Sequence, residues 1–416
     1  MDQYVLLVGC FDTKGEVFSY LRTCILAHGE QVLTINTGVM GTTTEFPVDY
    51  EADVVAQVAN DSLAELRENR DRGRAIDVMS RGAVTLVERL VSAGKLKAVV
   101  GMGGGGGTFI ALAAMQAVPF GIPKFCLTTL AAKDLSRQIG SKDITLMPSV
   151  VDVAGLNSMI APLIEQAAAA VCAMANVKTS FANKSSRRIA ISMFGNTTAC
   201  VDQCTDLLKK QGYEVFAFHA NGAGGKTMEA LIADGCFDVV LDITTTELAD
   251  DLCGGICSAG PERLEAAASI GIPQVVVPGC LDMVNFGHPD TVPIHFKNRT
   301  LYSWAPDVTL MRTDESDNTE LGIRLARKLN QSHGPVTVVL PLGGLSQIDA
   351  KGAIFYQPQY NKALFDAIKQ NVSANVAVIE STDHINDHSF STLLVNCVLE
   401  LVRKSQPTQA QSARSI

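Results

Sequence analysis

Short runs of apolar, often β-branched residues alternate along the chain with longer segments in which apolar residues recur at helical spacing. Strands are predicted in the first half at residues 4–8, 31–35, 98–100 and 124–128. Helices are predicted between and after them, at residues 17–27, 54–68, 75–92, 109–117 and 163–176. This alternation is typical of a parallel sheet whose strands are joined by helices.

The same alternation begins again in the second half, after a polar and basic stretch at residues 178–188. Strands are predicted there at residues 188–193, 214–218, 239–243, 274–277, 336–340 and 376–379. We therefore predict an α/β protein with two Rossmann-like, doubly wound parallel-sheet domains in series. Residues 1–180 would form a nucleotide-binding domain, residues 189–405 a second domain, and residues 406–416 a flexible tail.

The composition narrows the classes of function. The chain has 416 residues, 47% of them hydrophobic, and a net charge of −9, which argues against a partner such as nucleic acid or an anionic membrane surface. It has no run of apolar residues long enough to span a membrane, and its first residues lack the basic start of a secretion signal. Eleven cysteines scattered through apolar segments are typical of reduced thiols, so we expect a cytoplasmic protein.

Many of the 34 glycines cluster together with polar residues directly after predicted strands. In the first half these clusters lie at residues 9–16, 36–41, 101–108 and 128–134. Because ligands of open parallel sheets bind beyond the carboxyl ends of the strands, we expect the four segments to converge on one crevice.

The densest cluster predicts a phosphate site. It consists of Gly103, Gly104, Gly105, Gly106 and Gly107, followed by Thr108 and a helix. Bare backbone at a helix start offers N–H groups to a phosphate. The spacing resembles a Walker A loop, but Gly107 stands where that loop has its lysine. The alternative is that the glycines only allow the strand and the helix to pack closely.

The missing lysine could come from the segment after the first strand. Lys14 is a candidate counter-charge for the phosphates, and Asp12 and Thr13 carry oxygens suited to Mg²⁺. The alternative for Asp12 is that it caps the following helix.

The second half offers a second, separate set of candidates. Residues 219–227 end like a Walker A loop but lack its first glycine, so they predict either a second anion site or a tight turn. Candidate acids, bases and anion clamps are Asp282, His384, Asp387, Arg299 and Arg312, with Ser346 or Cys280 as a weak nucleophile. Helix caps and surface ion pairs are the alternatives for each of these residues.

A series of motifs in order along residues 4–404 gives a family resemblance. They lie at residues 10–16, 72–83, 101–108, 141–157, 244–255, 278–287, 308–313 and 384–390. Together they resemble a family of bacterial and fungal proteins similar to the amino-terminal ATP-binding domain of the tomato mosaic virus resistance protein. The resemblance implies two Rossmann-like subdomains, nucleotide binding and self-association, hence a homodimer.

The family's Asp-Thr-Lys-Gly motif falls on Asp12, Thr13, Lys14 and Gly15, and its glycine loop falls on residues 103–108. Gly105 replaces a serine of the family pattern, residues 131–133 depart from its Ala-Ser-Gly, and Trp304 stands in place of its histidine.

Our leading hypothesis is a cytoplasmic protein that binds ATP and Mg²⁺, with the phosphates at residues 103–108, Lys14 as counter-charge and Asp12 near the metal ion. The first alternative is a metabolic enzyme acting on a small carboxylate or phosphorylated acid through Asp282, Arg299, His384 and Asp387. The second is a protein-interaction module that the nucleotide stabilises.

Overall fold

A computed structural model describes residues 2–178 and 186–405. The chain divides into two compact units, unit 1 (Met1–Ala182) and unit 2 (Asn183–Ile416). Most of the polar stretch at residues 178–188 and the whole predicted tail at residues 406–416 lie outside the described residues.

Unit 1 contains one sheet of five parallel strands in the order β2-β1-β3-β4-β5. The strands are β1 (Tyr4–Gly9), β2 (Val32–Asn36), β3 (Leu96–Gly103), β4 (Lys124–Thr128) and β5 (Ile144–Pro148). The helices are α1 (Phe11–Ala27), α2 (Ala52–Val58), α3 (Leu63–Asn69), α4 (Arg72–Ser92), α5 (Gly105–Gln116), α6 (Ser136–Ile139) and α7 (Ile160–Ala175).

Both faces of this sheet are buried, which explains why its central strands are almost continuously apolar. On β1, Leu6 and Val8 pack into a core with residues of α4 and α5. Their neighbours Val5 and Leu7 point to the other face and pack with residues of α1 and α7. The period of two along a strand therefore divides the apolar side chains between two helical layers.

Unit 2 contains a sheet of six parallel strands in the order β14-β13-β9-β8-β6-β7 and a small antiparallel sheet in the order β10-β12-β11. The strands are β6 (Arg188–Met193), β7 (Glu214–His219), β8 (Val239–Thr244), β9 (Gln274–Gly279), β10 (Met283–Phe286), β11 (Leu301–Ala305), β12 (Val308–Arg312), β13 (Val336–Pro341) and β14 (Val376–Ser381). The helices are α8 (Thr198–Lys210), α9 (Ala223–Ala233), α10 (Glu247–Cys253), α11 (Ala266–Ile270), α12 (Glu315–Leu329), α13 (Pro358–Asn371) and α14 (His388–Lys404).

The predicted fold class is confirmed: the two units are α/β domains in series, each built on a parallel sheet with helices on its faces. In unit 1, β1 lies between β2 and β3, and in unit 2, β6 lies between β7 and β8. In both parallel sheets the direction of winding therefore reverses at the strand that comes first along the chain. Within residues 2–178 and 186–405, no helix is both long and apolar enough to cross a membrane.

Several elements differ from the predicted ones. The helix predicted at residues 54–68 is two helices, α2 and α3, because Asn60 adopts a left-handed φ of 58° and Ser62 caps α3. The sequence prediction also missed β5 and the antiparallel sheet of unit 2. Strand β5 is only half-buried, and β11 has two exposed and three half-buried residues, so neither shows the apolar run of a central strand.

Candidate functional site

A cavity of about 680 Å³ lies in unit 1 where the winding of the sheet reverses. The segments that follow β1, β2 and β3 contribute to its wall, together with residues of α3, α4 and α5. The volume is in the range of small-molecule sites, and the position is where open parallel sheets bind ligands. Three of the four predicted segments therefore meet in one crevice. We call this space the nucleotide-sized cavity.

The glycine cluster contributes the start of α5 to this cavity. Gly103 is the last residue of β3, Gly104 precedes the helix, and Gly105 is its first residue, so the predicted loop is a single junction residue. Gly104, Gly105, Gly106 and Gly107 all line the cavity. The N–H groups of the first helical residues have no acceptor within the helix, so this turn presents donors and the positive end of the helix dipole.

Other glycines of the cluster have a packing role. A Cβ on Gly101 would lie 2.3 Å from the Cβ of Ala111, so this glycine lets α5 pack closely on β3. A Cβ on Gly103 would lie 3.3 Å from the Cα of Gly107. The alternative that the glycines only allow close packing of strand and helix therefore holds at Gly101 and Gly103. It does not hold at Gly105, where a Cβ would meet no heavy atom within 4 Å.

Besides Gly103, two more of the predicted residues lie away from the cavity wall. The Thr108 amide donates to the Gly104 carbonyl at 2.9 Å, and its buried hydroxyl lies 2.6 Å from the hydroxyl of Thr128. The prediction that Thr108 binds phosphate is therefore not supported by its geometry. Gly15 lies against Thr43, where a Cβ would come within 2.4 Å of the Thr43 hydroxyl, so Gly15 serves packing.

Asp12, Thr13 and Lys14 line the cavity from the first turn of α1, which begins at Phe11 and not at residue 17 as predicted. Cys10, and not Asp12, precedes this helix, so the alternative of Asp12 as its cap is wrong. One Asp12 oxygen accepts a hydrogen bond from the Met40 amide at 2.9 Å. The other oxygen is buried and has no hydrogen-bond partner. A buried, unpaired carboxylate oxygen in a cavity wall is suited to a cation or a ligand hydroxyl.

Lys14 sits at an irregular point of α1, with a φ of −132°. Its ammonium group donates to the backbone carbonyl of Val153, which holds it at the wall of the cavity. An ammonium group has three donors, so two remain available to a ligand.

Sequence analysis missed three arginines that line the same cavity. Arg67 lies in the last turn of α3, Arg70 lies between the two helices, and Arg72 begins α4. The Arg67 Nε donates to the Val39 carbonyl at 2.5 Å, and an Arg72 Nη atom lies 3.8 Å from the Cβ position of Gly106. The sequence signal was the mostly charged run at residues 67–74, which overlaps the start of the family motif at residues 72–83.

The remaining wall of the nucleotide-sized cavity is mostly apolar. It includes Val39, Met40, Leu66, Ala75, Ile76, Met79 and Ile110. Cys10 also lines it, and burial raises the pKa of its thiol, so the side chain stays neutral and acts as a small apolar group. One part of the cavity wall is apolar, and another part carries cationic side chains and unpaired backbone amides. Such a cavity fits an amphipathic anion.

In unit 2, the predicted second anion site is filled by the protein itself. Glu247, fully buried, accepts hydrogen bonds from the amides of Gly222 at 2.7 Å and Gly225 at 3.1 Å, at the start of α9. Its other oxygen lies 2.6 Å from the Nε of Arg263. This arginine is fully buried and also binds Asp242 through two nitrogens, at 2.5 and 2.7 Å. The glycine-rich segment of unit 2 is therefore part of a buried ion-pair network.

The structure brings Asp282 and His384 together through Ser346. The Ser346 hydroxyl donates to Asp282 Oδ2 at 2.7 Å, and the His384 Nε2 lies 2.9 Å from the Ser346 carbonyl. Asp282 is fully buried, and its other oxygen has no partner. Burial, reinforced by the nearby Asp349, raises the pKa of Asp282 to about 7, although Arg312 acts in the opposite direction.

The other candidates of unit 2 have structural partners. Asp387 precedes α14 and accepts a hydrogen bond from the His384 amide at 2.8 Å. Arg299 forms ion pairs with Asp314 at 2.6 Å and Asp317 at 2.9 Å, so the alternative of an ion pair describes its environment.

Arg312 is buried and donates to the Asn361 side chain at 2.7 Å. Cys280 is also buried, and burial raises the pKa of its thiol.

No group of three or more His, Cys, Asp or Glu side chains in the described parts of the chain is arranged to hold a metal ion. A magnesium ion at Asp12 would thus need ligands from a bound phosphate, which is the usual arrangement for this ion.

Family models match nearly the whole chain. Residues 3–180 match the N-terminal domain of "Uncharacterised protein family (UPF0261)", and residues 186–402 match the C-terminal domain of the same family. The chain belongs to this family. The family resemblance predicted from the motifs is confirmed, because Tm-1 proteins of Solanum lycopersicum are relatives at 36% and 37% identity.

Two relatives illustrate the range of the similarity. A UPF0261 protein from Clostridium tetani is 40% identical over 405 residues, which cover 97% of this chain and 100% of that protein. The ToMV resistance protein Tm-1(GCR237) of Solanum lycopersicum is 37% identical over 353 residues, covering 83% of this chain and 47% of that protein. The solved structure of spinosyn rhamnosyltransferase SpnG matches 96% of this chain and 97% of its own at 11% identity, with a TM-score of 0.23, too low to carry an argument.

Proposed function

We propose that unit 1 binds ATP as its magnesium complex in the nucleotide-sized cavity. One observation carries this proposal. Unpaired amides at the start of α5, cationic side chains and an apolar wall line the same cavity, at the point where the winding of the sheet reverses. In this arrangement the amides of residues 104–107 bind the phosphates, and Lys14 and Arg72 supply counter-charge. The apolar wall around Ile76 and Met79 takes the base.

Asp12 is the residue that would hold the magnesium ion. Its unpaired, buried oxygen fits a hard cation, and the remaining ligands would be phosphate oxygens and water. When bound, the ion neutralises phosphate charge. The chain's own contribution is to hold the Asp12 carboxylate in place through the Met40 amide.

Isothermal titration with ATP tests the proposal. We expect Lys14→Ala to weaken ATP binding by about tenfold or more, because a charge-assisted contact contributes roughly 1.5–3 kcal/mol. Asp12→Asn should weaken binding in Mg²⁺ but not in EDTA. Lys95→Ala is the matched control, since this exposed lysine lies outside the cavity at the other end of β3. Equal affinities of the Lys14 and Lys95 variants would refute the site.

The enzyme hypothesis for unit 2 has less support. Asp282 and Ser346 are fully buried, and Arg299 is held in ion pairs at the start of α12. We therefore expect His384→Ala to leave ATP binding unchanged. Measurement of ADP release distinguishes an ATP-hydrolysing enzyme from a module that only holds the nucleotide.

The cytoplasmic location and the homodimer are part of this proposal as well. The homodimer follows from the resemblance, and light scattering with and without ATP tests both self-association and its dependence on nucleotide. A constant monomer mass would refute the interaction-module alternative together with the dimer.

A further inference from the structure

A second cavity, of about 530 Å³, lies at the ends of β4 and β5 in unit 1. Asp152 lines both this cavity and the nucleotide-sized cavity. A Cβ built on Gly104 would lie 3.7 Å from Thr129 Oγ1 and 4.0 Å from Asp152 Oδ1. The second cavity thus adjoins the start of α5, where the proposed function places the phosphates.

The chemistry of this wall differs from that of the first cavity. Among the described residues that line it, Asp152 is the charged one, and the others are threonine, serine, alanine, proline and valine. A carboxylate accepts hydrogen bonds from hydroxyl groups and repels anions. Thr129 is exposed, and its hydroxyl has no hydrogen-bond partner within the described residues. The wall therefore suits a neutral molecule with hydroxyl groups better than an acidic one.

A strained turn forms one side of the second cavity. Val150 has a φ of 62°, which is rare for a β-branched residue, and it is 75% exposed. The Val151 amide donates to the Ser149 carbonyl at 2.6 Å, and the Ser149 hydroxyl donates to the Val151 carbonyl at 2.7 Å. These two bonds hold the turn in a conformation that costs about 1–3 kcal/mol, as is common beside ligand sites.

We propose that the second cavity binds a small, neutral, hydroxyl-bearing molecule beside the terminal phosphate of the nucleotide. Thr129 Oγ1 and the Asp152 carboxylate are its hydrogen-bond partners. This inference rests on the proposed function, from which it takes the orientation of the nucleotide. It makes unit 1 a site for two ligands, one anionic and one neutral.

The test uses an ATP derivative whose terminal phosphate carries a glyceryl ester, so that three carbons and two hydroxyl groups extend beyond the phosphate. Isothermal titration compares this ester with ATP in Mg²⁺. We expect the ester to bind at least as tightly as ATP. Binding of the ester more than tenfold weaker than ATP would overturn the inference, because the phosphate would then face a closed wall. Failure of ATP itself to bind would overturn the proposed function instead.

Substitutions in the second cavity locate the glyceryl group. Ala132→Trp places a large ring on its exposed rim and should weaken ester binding at least tenfold while changing ATP binding less than twofold. Thr129→Val should weaken the ester by threefold or more. Ala374→Trp, at an exposed turn of unit 2, is the matched control and should change neither affinity. Equal effects of Ala132→Trp on the two ligands, or no effect on the ester, would also overturn the inference.

Discussion

Replacement of Gly105 by alanine is expected to stabilise the fold and to weaken nucleotide binding. Gly105 is the first residue of α5, its φ is not left-handed, and an added Cβ would meet no heavy atom within 4 Å. Because alanine is favoured over glycine in helices, the free energy of unfolding should rise by about 0.5–1 kcal/mol.

The effect on binding should have the opposite sign. Gly105 lines the nucleotide-sized cavity, so the new methyl group takes space that a phosphate oxygen would otherwise occupy. The loss or lengthening of one charge-assisted hydrogen bond costs roughly 1.5–3 kcal/mol. Since about 1.4 kcal/mol corresponds to a factor of ten, the affinity for ATP should fall by roughly 10- to 100-fold.

Urea unfolding and titration calorimetry on the same preparation measure both effects. Gly73→Ala is the matched control, since Gly73 also lies in the first turn of a helix but does not line the cavity. It should gain stability without losing affinity. If Gly105→Ala gained stability and bound ATP as the wild type does, the phosphates could not lie at the start of α5, and the reasoning would fail.

Two further predictions concern unit 2. Arg263→Met should lower the free energy of unfolding by about 3–5 kcal/mol, because Asp242 and Glu247 would stay buried without their counter-charge. Arg299→Met, which removes partly exposed ion pairs, should lower it by less than about 1 kcal/mol. Similar losses for the two variants in urea unfolding would contradict this prediction. Burial raises the pKa of Asp282 from 3.8 to about 7, so the folded state keeps a proton that the unfolded state releases, and stability should fall as the pH rises through this window. Asp282→Asn should reduce that fall. The measurement is urea unfolding of both proteins at pH 5 and pH 8, and an equal difference in unfolding free energy between the two pH values for variant and wild type would contradict the prediction.

The position of the cavity could be predicted from the sequence, because segments that follow parallel strands lie at one edge of the sheet. Polar clusters after three successive strands had to meet at one edge of a parallel sheet, and the clusters after β1, β2 and β3 do so. Lys14 and Asp12 were found for the same reason, since both follow β1 closely. The order of the strands decides which segments meet. Because β1 lies between β2 and β3, the segments after these three strands share one cavity, whereas the segment after β4 lines the second cavity.

The arginines of the cavity could not be found in this way. Arg67 and Arg72 lie on helices, and their positions in the cavity wall depend on the break between α3 and α4. That break rests on the left-handed φ of 51° at Arg70 and on the cap formed by Asp71. Periodicity averages over such single residues, which is also why α2 and α3 were predicted as one helix.

The contrast between the two units bears on which of them binds an anion. A helix start attracts negative charge, and in unit 2 the chain supplies that charge itself through Glu247, which binds the amides of Gly222 and Gly225. Within residues 2–178, no carboxylate accepts a hydrogen bond from the amides of the glycines that begin α5, although Lys14 and Arg72 lie at the same cavity. Helix-start amides from which no carboxylate of the chain accepts a hydrogen bond can instead receive their negative charge from a ligand. This contrast favours unit 1 over unit 2 for the phosphate site that we propose.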